Sequence, residues 1–435
     1  MKIPTTPDYT KEDLSRALER ARDPEVLDAV FRENARYLHW DEIRRRKKYP
    51  ADPLTIWILM KFFRSKDACH FTVADWSFQY LLGDSCWKEL HFLDKAAAGN
   101  LSSILDSVGP GREQFIINSL MEEAIASSQL EGAATTRRVA KQMLRERRKP
   151  RNRDERMIVN SYLTMKEVRS LGKEPLTPDL ILRLHAMITA GTLDDSGDEG
   201  TFRENNETRV IDSSGTVLST PPPYTGIPRL IRELCRFANE EQEGFMHPVV
   251  KGIVLHFLLA YIHPFHDGNG RCARTLFYWF VLKHEYWLFE YVPVSRTIKD
   301  TRGQYKRACL YTGSDENDLT YFIRYNLGAI STAAREIQGY IREKQEEQAE
   351  LLRMIRDRED LTLRQSDILG RFMKHPEEPV TIKEIMETYQ VAYGTARNDL
   401  FHLADEGYLI KGKSGKEIMF SFKGIPPKKM NEAGK

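Results

Sequence analysis

Apolar positions recur at helical spacing over most of the chain, and where that period breaks the sequence supplies its own punctuation. From Tyr9 to about Ser107 the pattern is mainly helical, with a basic cluster at Arg44 to Lys48 and an aromatic-rich stretch holding Phe71, Trp76, Phe78, Tyr80 and Trp87. Large rings normally carry cores, so core packing is the first expectation for these five and a docking surface the second. From Glu113 to about Arg335 the helical period continues, interrupted between Gly200 and Pro228. There Asn205, Asn206, Asp212, Ser213, Ser214 and Gly215, with Pro221 to Pro223, surround β-branched pieces such as Val210-Ile211, which predicts a small hairpin inside a helical domain. After it, Pro248 opens an apolar helix through Val249, Val250, Leu255, Leu258 and Ile262 that stops at His263-Pro264. A second helix starts near Gly270 and carries Leu276, Phe277, Phe280 and Val281.

The charge-rich run from Tyr340 to Asp360 has few core candidates and reads as a helical connector with a solvated face. Beyond it come a helix near Arg364 to Lys374, a capping box at Thr381 to Glu384, and a third helix from about Gly394 to Glu406. Two apolar stretches, Tyr408 to Ile410 and Ile418 to Phe420, then flank KGKSGK. Three helices and a β-wing predict a winged helix. The fold class is mainly α. The expected division is an N-terminal helical domain at 1–110, a helical core at 111–340, a linker at 341–360, the winged helix at 361–425 and a disordered tail at 426–435.

A length of 435 residues fits two or three domains, and 41% hydrophobic with 29% charged residues is the composition of a folding, globular chain. The net charge of +2 draws the whole protein neither to nucleic acid nor to anionic lipid. No run of about 18 apolar residues occurs and the N-terminus lacks a signal pattern, so no membrane partner and a cytoplasmic setting are expected. Five scattered cysteines without a C-x-x-C pair suit reduced, mostly buried thiols.

The chemistry concentrates in HPFHDGNGRCAR, His263 to Arg274. Gly268-Asn269-Gly270 can adopt conformations that converge backbone N–H groups on an anion, and the loop runs into a helix N-terminus that also favours phosphate. Arg271 and Arg274 are three apart and share a helix face, offering forked donors to phosphoryl oxygens. Asp267 is the kind of single carboxylate that holds magnesium together with substrate phosphates. His263 has the near-neutral pKa of a general base. Cys272 reads as a spacer, and His263, His266 and Asp267 stand as an alternative transition-metal set.

This stretch matches H-x-F-x-[DE]-G-N-G-R-x-x-R at every defined position, and the chain resembles the Fic family over roughly residues 113 to 335. The resemblance implies a Fic-type helical core with a hairpin flap. It implies that His263 deprotonates a Ser, Thr or Tyr hydroxyl of a target protein, which attacks the α-phosphorus of ATP. Asp267 would hold Mg2+, Gly268, Asn269 and Gly270 would cradle phosphates with help from Arg271, and Arg274 would pair with the γ-phosphate. Glycine at position 270, where kinase-like relatives carry lysine, argues for nucleotidyl transfer; transfer of UMP or phosphocholine stays open. SSQLEG fits the family's inhibitory pattern through Ser127, Glu131 and Gly132, which implies a Glu131–Arg274 ion pair in the γ-phosphate position; a plain helix-end glutamate before a glycine cap is the alternative. By the same resemblance the flap bears Val210 and Ile211 toward the nucleotide, and Tyr305 contacts adenine or simply packs.

The winged helix offers Thr395, Arg397 and Asn398 to a groove, with Lys411, Lys413 and Lys416 on the wing. Residues 361 to 435 hold twelve Lys/Arg against ten Asp/Glu, a balance that leaves DNA contact and a protein-docking or homodimer-forming role equally open. The expected function is an autoinhibited protein adenylyltransferase. A nucleotide-sensing transcriptional regulator and an AMP-removing enzyme are the alternatives.

Overall fold

Helix Pro248–Ile262 is apolar on every face and buried along nearly its whole length, as a central helix must be. Helix Asn269–Lys283 packs along it. Gly252 permits the close approach, since a Cβ there would lie 3.1 Å from Val281 and 3.2 Å from Phe277. Helices Arg153–Ser170 and Pro178–Thr189 cover the second of this pair, and Ile227–Asn239 covers the first. Helix Gly111–Leu130 joins the same body through Met121 and Ile125, which share a core with helix Arg137–Arg145.

The computed structural model describes residues 3–46, 48–97, 111–171, 174–211, 215–241, 244–356, 361–374, 378–414 and 417–424. By contacts the chain divides into two compact units, 1–98 with 117–335, and 99–116 with 336–435. The N-terminal helical domain expected at 1–110 falls, over residues 1–98, in one unit with 117–335. Long-range polar bonds account for this. Lys61 Nζ lies 2.8 Å from Asp315, Tyr37 Oη donates to Asp318 at 2.7 Å, and Arg64 reaches Tyr321 Oη at 3.0 Å.

The N-terminal segment, expected to be mainly helical, also contains a β-hairpin. After helices Lys11–Arg20, Pro24–Arg36 and Pro53–Asp67, the aromatic stretch forms a hairpin, Cys69–Val73 with Trp76–Tyr80, paired from Cys69↔Tyr80 to Val73↔Trp76. Alternating large residues suit a strand, and the rings pack inward: Phe71 stacks on Phe237 and Trp76 meets Tyr261 edge-on. Trp87 remains half exposed.

In the second unit, helices Leu363–Lys374, Ile382–Tyr389 and Tyr393–Asp405 enclose a core with Tyr408 and Phe420. Thr381 and Glu384 form the expected capping box. Strands Val380–Thr381, Glu417–Phe422 and Leu409–Ser414 lie in that order in one antiparallel sheet, completing the winged helix. Lys416, residues 426–435 and the end of the linker lie outside the described residues; the linker before that is part of one helix, Thr320–Arg356. Among the described residues no helix is long and apolar enough to cross a membrane.

Candidate active site

Pro264 cannot continue a helix and disfavours the helical region for its predecessor, so helix Pro248–Ile262 ends on His263 in the left-handed region at φ 50 and ψ 58. A non-glycine residue there costs about 1–2 kcal/mol, which the surroundings must offset. Arg203 supplies the restraint. Its Nε donates to the His263 carbonyl at 3.0 Å and its backbone N–H to the Pro264 carbonyl at 2.9 Å. Its Nη1 and Nη2 donate to the carbonyls of Asn205 and Pro222, at the two ends of the hairpin segment. One buried guanidinium thus ties the turn to the base of the flap. Arg203 is not legible from sequence, because a single arginine in a turn-rich segment carries no spacing signal.

The His263 ring donates from Nδ1 to the Ala260 carbonyl, 3.1 Å away, which leaves Nε2 with its lone pair. Burial holds its pKa below the ordinary histidine value, so at neutral pH the ring is an unprotonated base. Phe265 is fully buried and stacks face to face on His185 with ring centroids 3.6 Å apart. His185 Nδ1 accepts the Gly200 N–H at 3.1 Å, so Nε2 carries the proton and donates to the Asp267 carbonyl at 2.9 Å. Its pKa is pushed down to about 4 by burial, which keeps this donor neutral. His185 is not legible either: it lies inside helix Pro178–Thr189, far in sequence from the loop that it supports.

The loop closes on itself. Asn269 Nδ2 donates to the Phe265 carbonyl at 2.8 Å while its Oδ1 accepts the Phe265 N–H at 3.0 Å, so this side chain is committed to backbone. Gly268 sits at φ +84, and a Cβ there would lie 2.8 Å from Thr189 and 3.2 Å from His185. Both conformation and space require glycine.

Helix Asn269–Lys283 makes its first backbone bond from Cys272 N–H to the Gly268 carbonyl. The Asn269, Gly270 and Arg271 N–H groups precede that bond and have no acceptor among the described residues, the usual state of a helix N-terminus and one that favours an anion. The Gly268 N–H is already taken by Asp267 Oδ1 at 2.6 Å. The Asp267 side chain is 45% exposed, and its Oδ2 lies 3.6 Å from Arg153 and 3.7 Å from Arg271. One open carboxylate beside an open helix N-terminus fits magnesium, which takes few protein ligands. Cys272 is buried and its thiol is pushed up to about 12, which leaves it inert.

The two arginines part company. Arg271, 1% exposed, turns inward and donates from Nη1 to the Ile188 carbonyl at 3.1 Å; its Nε and Nη2 make no hydrogen bond among the described residues. Arg274 turns to helix Gly111–Leu130, where Nε meets Ser127 Oγ and Nη2 meets both the Ser127 carbonyl and Glu131 Oε1, each at 2.9 Å. The Glu131 carboxylate lies so close over Gly270 that a Cβ there would collide with it. Gly132, at φ +102, takes the turn that follows.

A cavity of about 680 Å³ is bordered by Glu131, His263, Gly270 and Arg274, with Val210, Ile211 and Tyr305 on its other walls. Asp267, Gly268, Asn269 and Arg271 are not on that wall. Val210 pairs with Ser219 and Ile211 with Val217; Ile211 is 57% exposed. Asp212, Ser213 and Ser214 lie outside the described residues. Tyr305 Oη sits 3.1 Å from His256 Nε2, so the ring both lines the cavity and packs.

Residues 175–281 match the Fic/DOC family and residues 364–421 a DeoR-like helix-turn-helix domain. The protein adenylyltransferase Fic of Drosophila ananassae is 29% identical over 170 residues, 39% of this chain and 31% of the relative. Its Drosophila melanogaster counterpart is 28% identical over the same shares. The match thus spans about a third of the length of these curated relatives. Among solved structures, a Fic family protein from Desulfovibrio desulfuricans G20 superposes with TM-score 0.55 at 18% identity, covering 80% of this chain and 98% of that one. Fic-1 (residues 134–508) from C. elegans gives 0.51 at 17%, covering 78% and 90%. At these identities the likeness is one of fold.

Proposed function

We propose, for a chain whose residues 175–281 match the Fic/DOC family, that it transfers AMP from ATP to a Ser, Thr or Tyr hydroxyl of a target protein and of itself, and that it rests inhibited. The observation that carries the reading is one cavity with an unprotonated His263 Nε2, an open helix N-terminus at Gly270 and the Arg274–Glu131 pair on its rim. His263 takes the proton as the target oxygen bonds to the α-phosphorus and the bond to pyrophosphate breaks. The Asn269, Gly270 and Arg271 N–H groups receive phosphate oxygens, and Arg274 receives the γ-phosphate once Glu131 gives way. Mg2+ held through Asp267 Oδ2 and phosphate oxygens would neutralise charge on the leaving group. Val210 and Ile211, on the cavity wall, face the nucleotide, and the hairpin that bears them offers a strand edge to the target backbone. The name borne by the Drosophila relatives supports the same reaction.

Incubation with ATP labelled at the α-phosphate is expected to label protein, whereas ATP labelled at the γ-phosphate is expected to leave it unlabelled. Label from the γ-position would make the enzyme a kinase instead.

The DeoR-like match favours a second role, weak duplex contact through helix Tyr393–Asp405 and the wing. Arg397 stacks over Phe401 at 4.5 Å, and Lys411 is already drawn to Asp405 at 2.7 Å, which lowers the charge it can offer a phosphate. With about two phosphate contacts, retention of the full chain on duplex DNA should fall about tenfold between 50 and 200 mM salt. No retention at 50 mM would leave the module to protein docking or self-association.

A further inference from the structure

We infer that the extended segment Ile3–Thr6 is a strap across the base end of the nucleotide cavity and discriminates purine from pyrimidine nucleotides. The inference rests on the proposed nucleotide-binding role of the cavity. Ile3, Pro4, Thr5 and Thr6 all line the space that Glu131, His263, Gly270 and Arg274 border. Pro4 is buried, and Thr6 Oγ1 donates to the Ser314 carbonyl at 3.0 Å, which fixes the segment to the end of helix Arg302–Ser314.

That helix also says which end the strap occupies. At its start, Arg302 donates to the Leu130 carbonyl at 3.1 Å, one residue before Glu131. Ser314 comes twelve residues later, about 18 Å further on at 1.5 Å per residue. Arg302, Tyr305, Leu310 and Ser314 all line the cavity between these points. One end of the wall therefore lies at the Arg274–Glu131 pair, where phosphate charge belongs, and the other at the strap.

The strap has what a base requires. Ile3 and Pro4 give apolar surface for a ring face, and Leu310, four residues before Ser314, adds to it from helix Arg302–Ser314. Residues 3–6 lie outside any helix or strand, so their peptide groups are not consumed by a ladder and can meet the edge of a planar base. A site that bonds a particular edge rejects analogues that lack it far better than an apolar slot does. Nothing at the phosphate end distinguishes one nucleoside triphosphate from another, so base selection falls to this end.

The test uses the full chain carrying Glu131→Gly, with Thr6→Val and Pro4→Gly added singly and Thr6→Ser as the hydroxyl-preserving control. Calorimetric titration with ATP, UTP and inorganic tripolyphosphate separates base from phosphate binding. Loss of one fixing bond is expected to weaken ATP by up to about tenfold in Thr6→Val, to narrow its advantage over UTP, and to leave tripolyphosphate unchanged. Thr6→Ser should bind ATP as the parent does. Unchanged ATP affinity in both Thr6→Val and Pro4→Gly would overturn the strap, as would a parallel loss of tripolyphosphate. These readouts need no transfer: a parent that binds ATP selectively but never labels protein would defeat the proposed reaction and leave the strap standing.

Discussion

Glu131→Gly is expected to raise protein labelling from α-labelled ATP by about 10- to 100-fold over the wild-type chain. The figure follows from the contact removed. A charge-assisted hydrogen bond is worth about 1.5–3 kcal/mol, and each 1.4 kcal/mol is a factor of ten in the fraction of Arg274 free for phosphate. Arg274 is 5% exposed and the Glu131 side chain 29%, so water screens the pair only in part. The substitution should not dislodge helix Gly111–Leu130, which is held by other bonds. Glu123, fully buried, accepts the Ser295 N–H at 2.9 Å and the Tyr278 hydroxyl at 2.7 Å. Ser128 Oγ bonds Ser161 Oγ at 3.1 Å, and Arg302 caps the Leu130 carbonyl. The gain is therefore a test of one carboxylate and not of the whole helix. Arg274→Ala, which releases Glu131 but also removes the proposed γ-phosphate partner, should show no such gain. Equal labelling by wild type and Glu131→Gly, with ATP bound in both, would end the inhibitory reading.

The motif was legible because its structure is local. Pro264 must end a helix, Gly268 must take a left-handed turn, and a helix N-terminus must leave N–H groups open, all within a dozen residues of sequence. What supports the motif was not legible. His185 and Arg203 reach it across 82 and 60 positions, and neither stands in a pattern that marks a contact. Helical spacing placed Arg271 and Arg274 on one face, but it fixes only where their stems begin; Arg271 bends to Ile188 and Arg274 to Ser127. The Cys69–Tyr80 hairpin had an alternating signature, Phe71, Val73, Trp76, Phe78 and Tyr80, that was submerged by helices on both sides. The merging of the N-terminal segment with the core depends on Asp315 and Asp318 meeting Lys61 and Tyr37, pairings more than 250 positions apart that periodicity cannot express.

In the Glu131→Gly background, His263→Ala is expected to lower label transfer by about 10²–10⁴-fold, the usual contribution of a positioned general base, while ATP affinity stays within a factor of about two. The pH profile adds an independent readout. Burial lowers the His263 pKa, so the ring stays unprotonated at pH values where an exposed histidine, at about 6.5, would already be half charged. The acid limb of kcat/KM should therefore lie below pH 6.5 and be absent from the His263→Ala residue of activity. A limb that falls between pH 7 and 6.5, or one that persists in His263→Ala, would assign the proton transfer elsewhere. Because His263 also takes a left-handed turn, a loss in the alanine variant could arise from a shifted loop. Asparagine tolerates that region better than alanine, and Arg203 would still hold the carbonyls on either side. Equal losses in His263→Asn and His263→Ala would place the effect on the imidazole; recovery in the asparagine variant would place it on the turn.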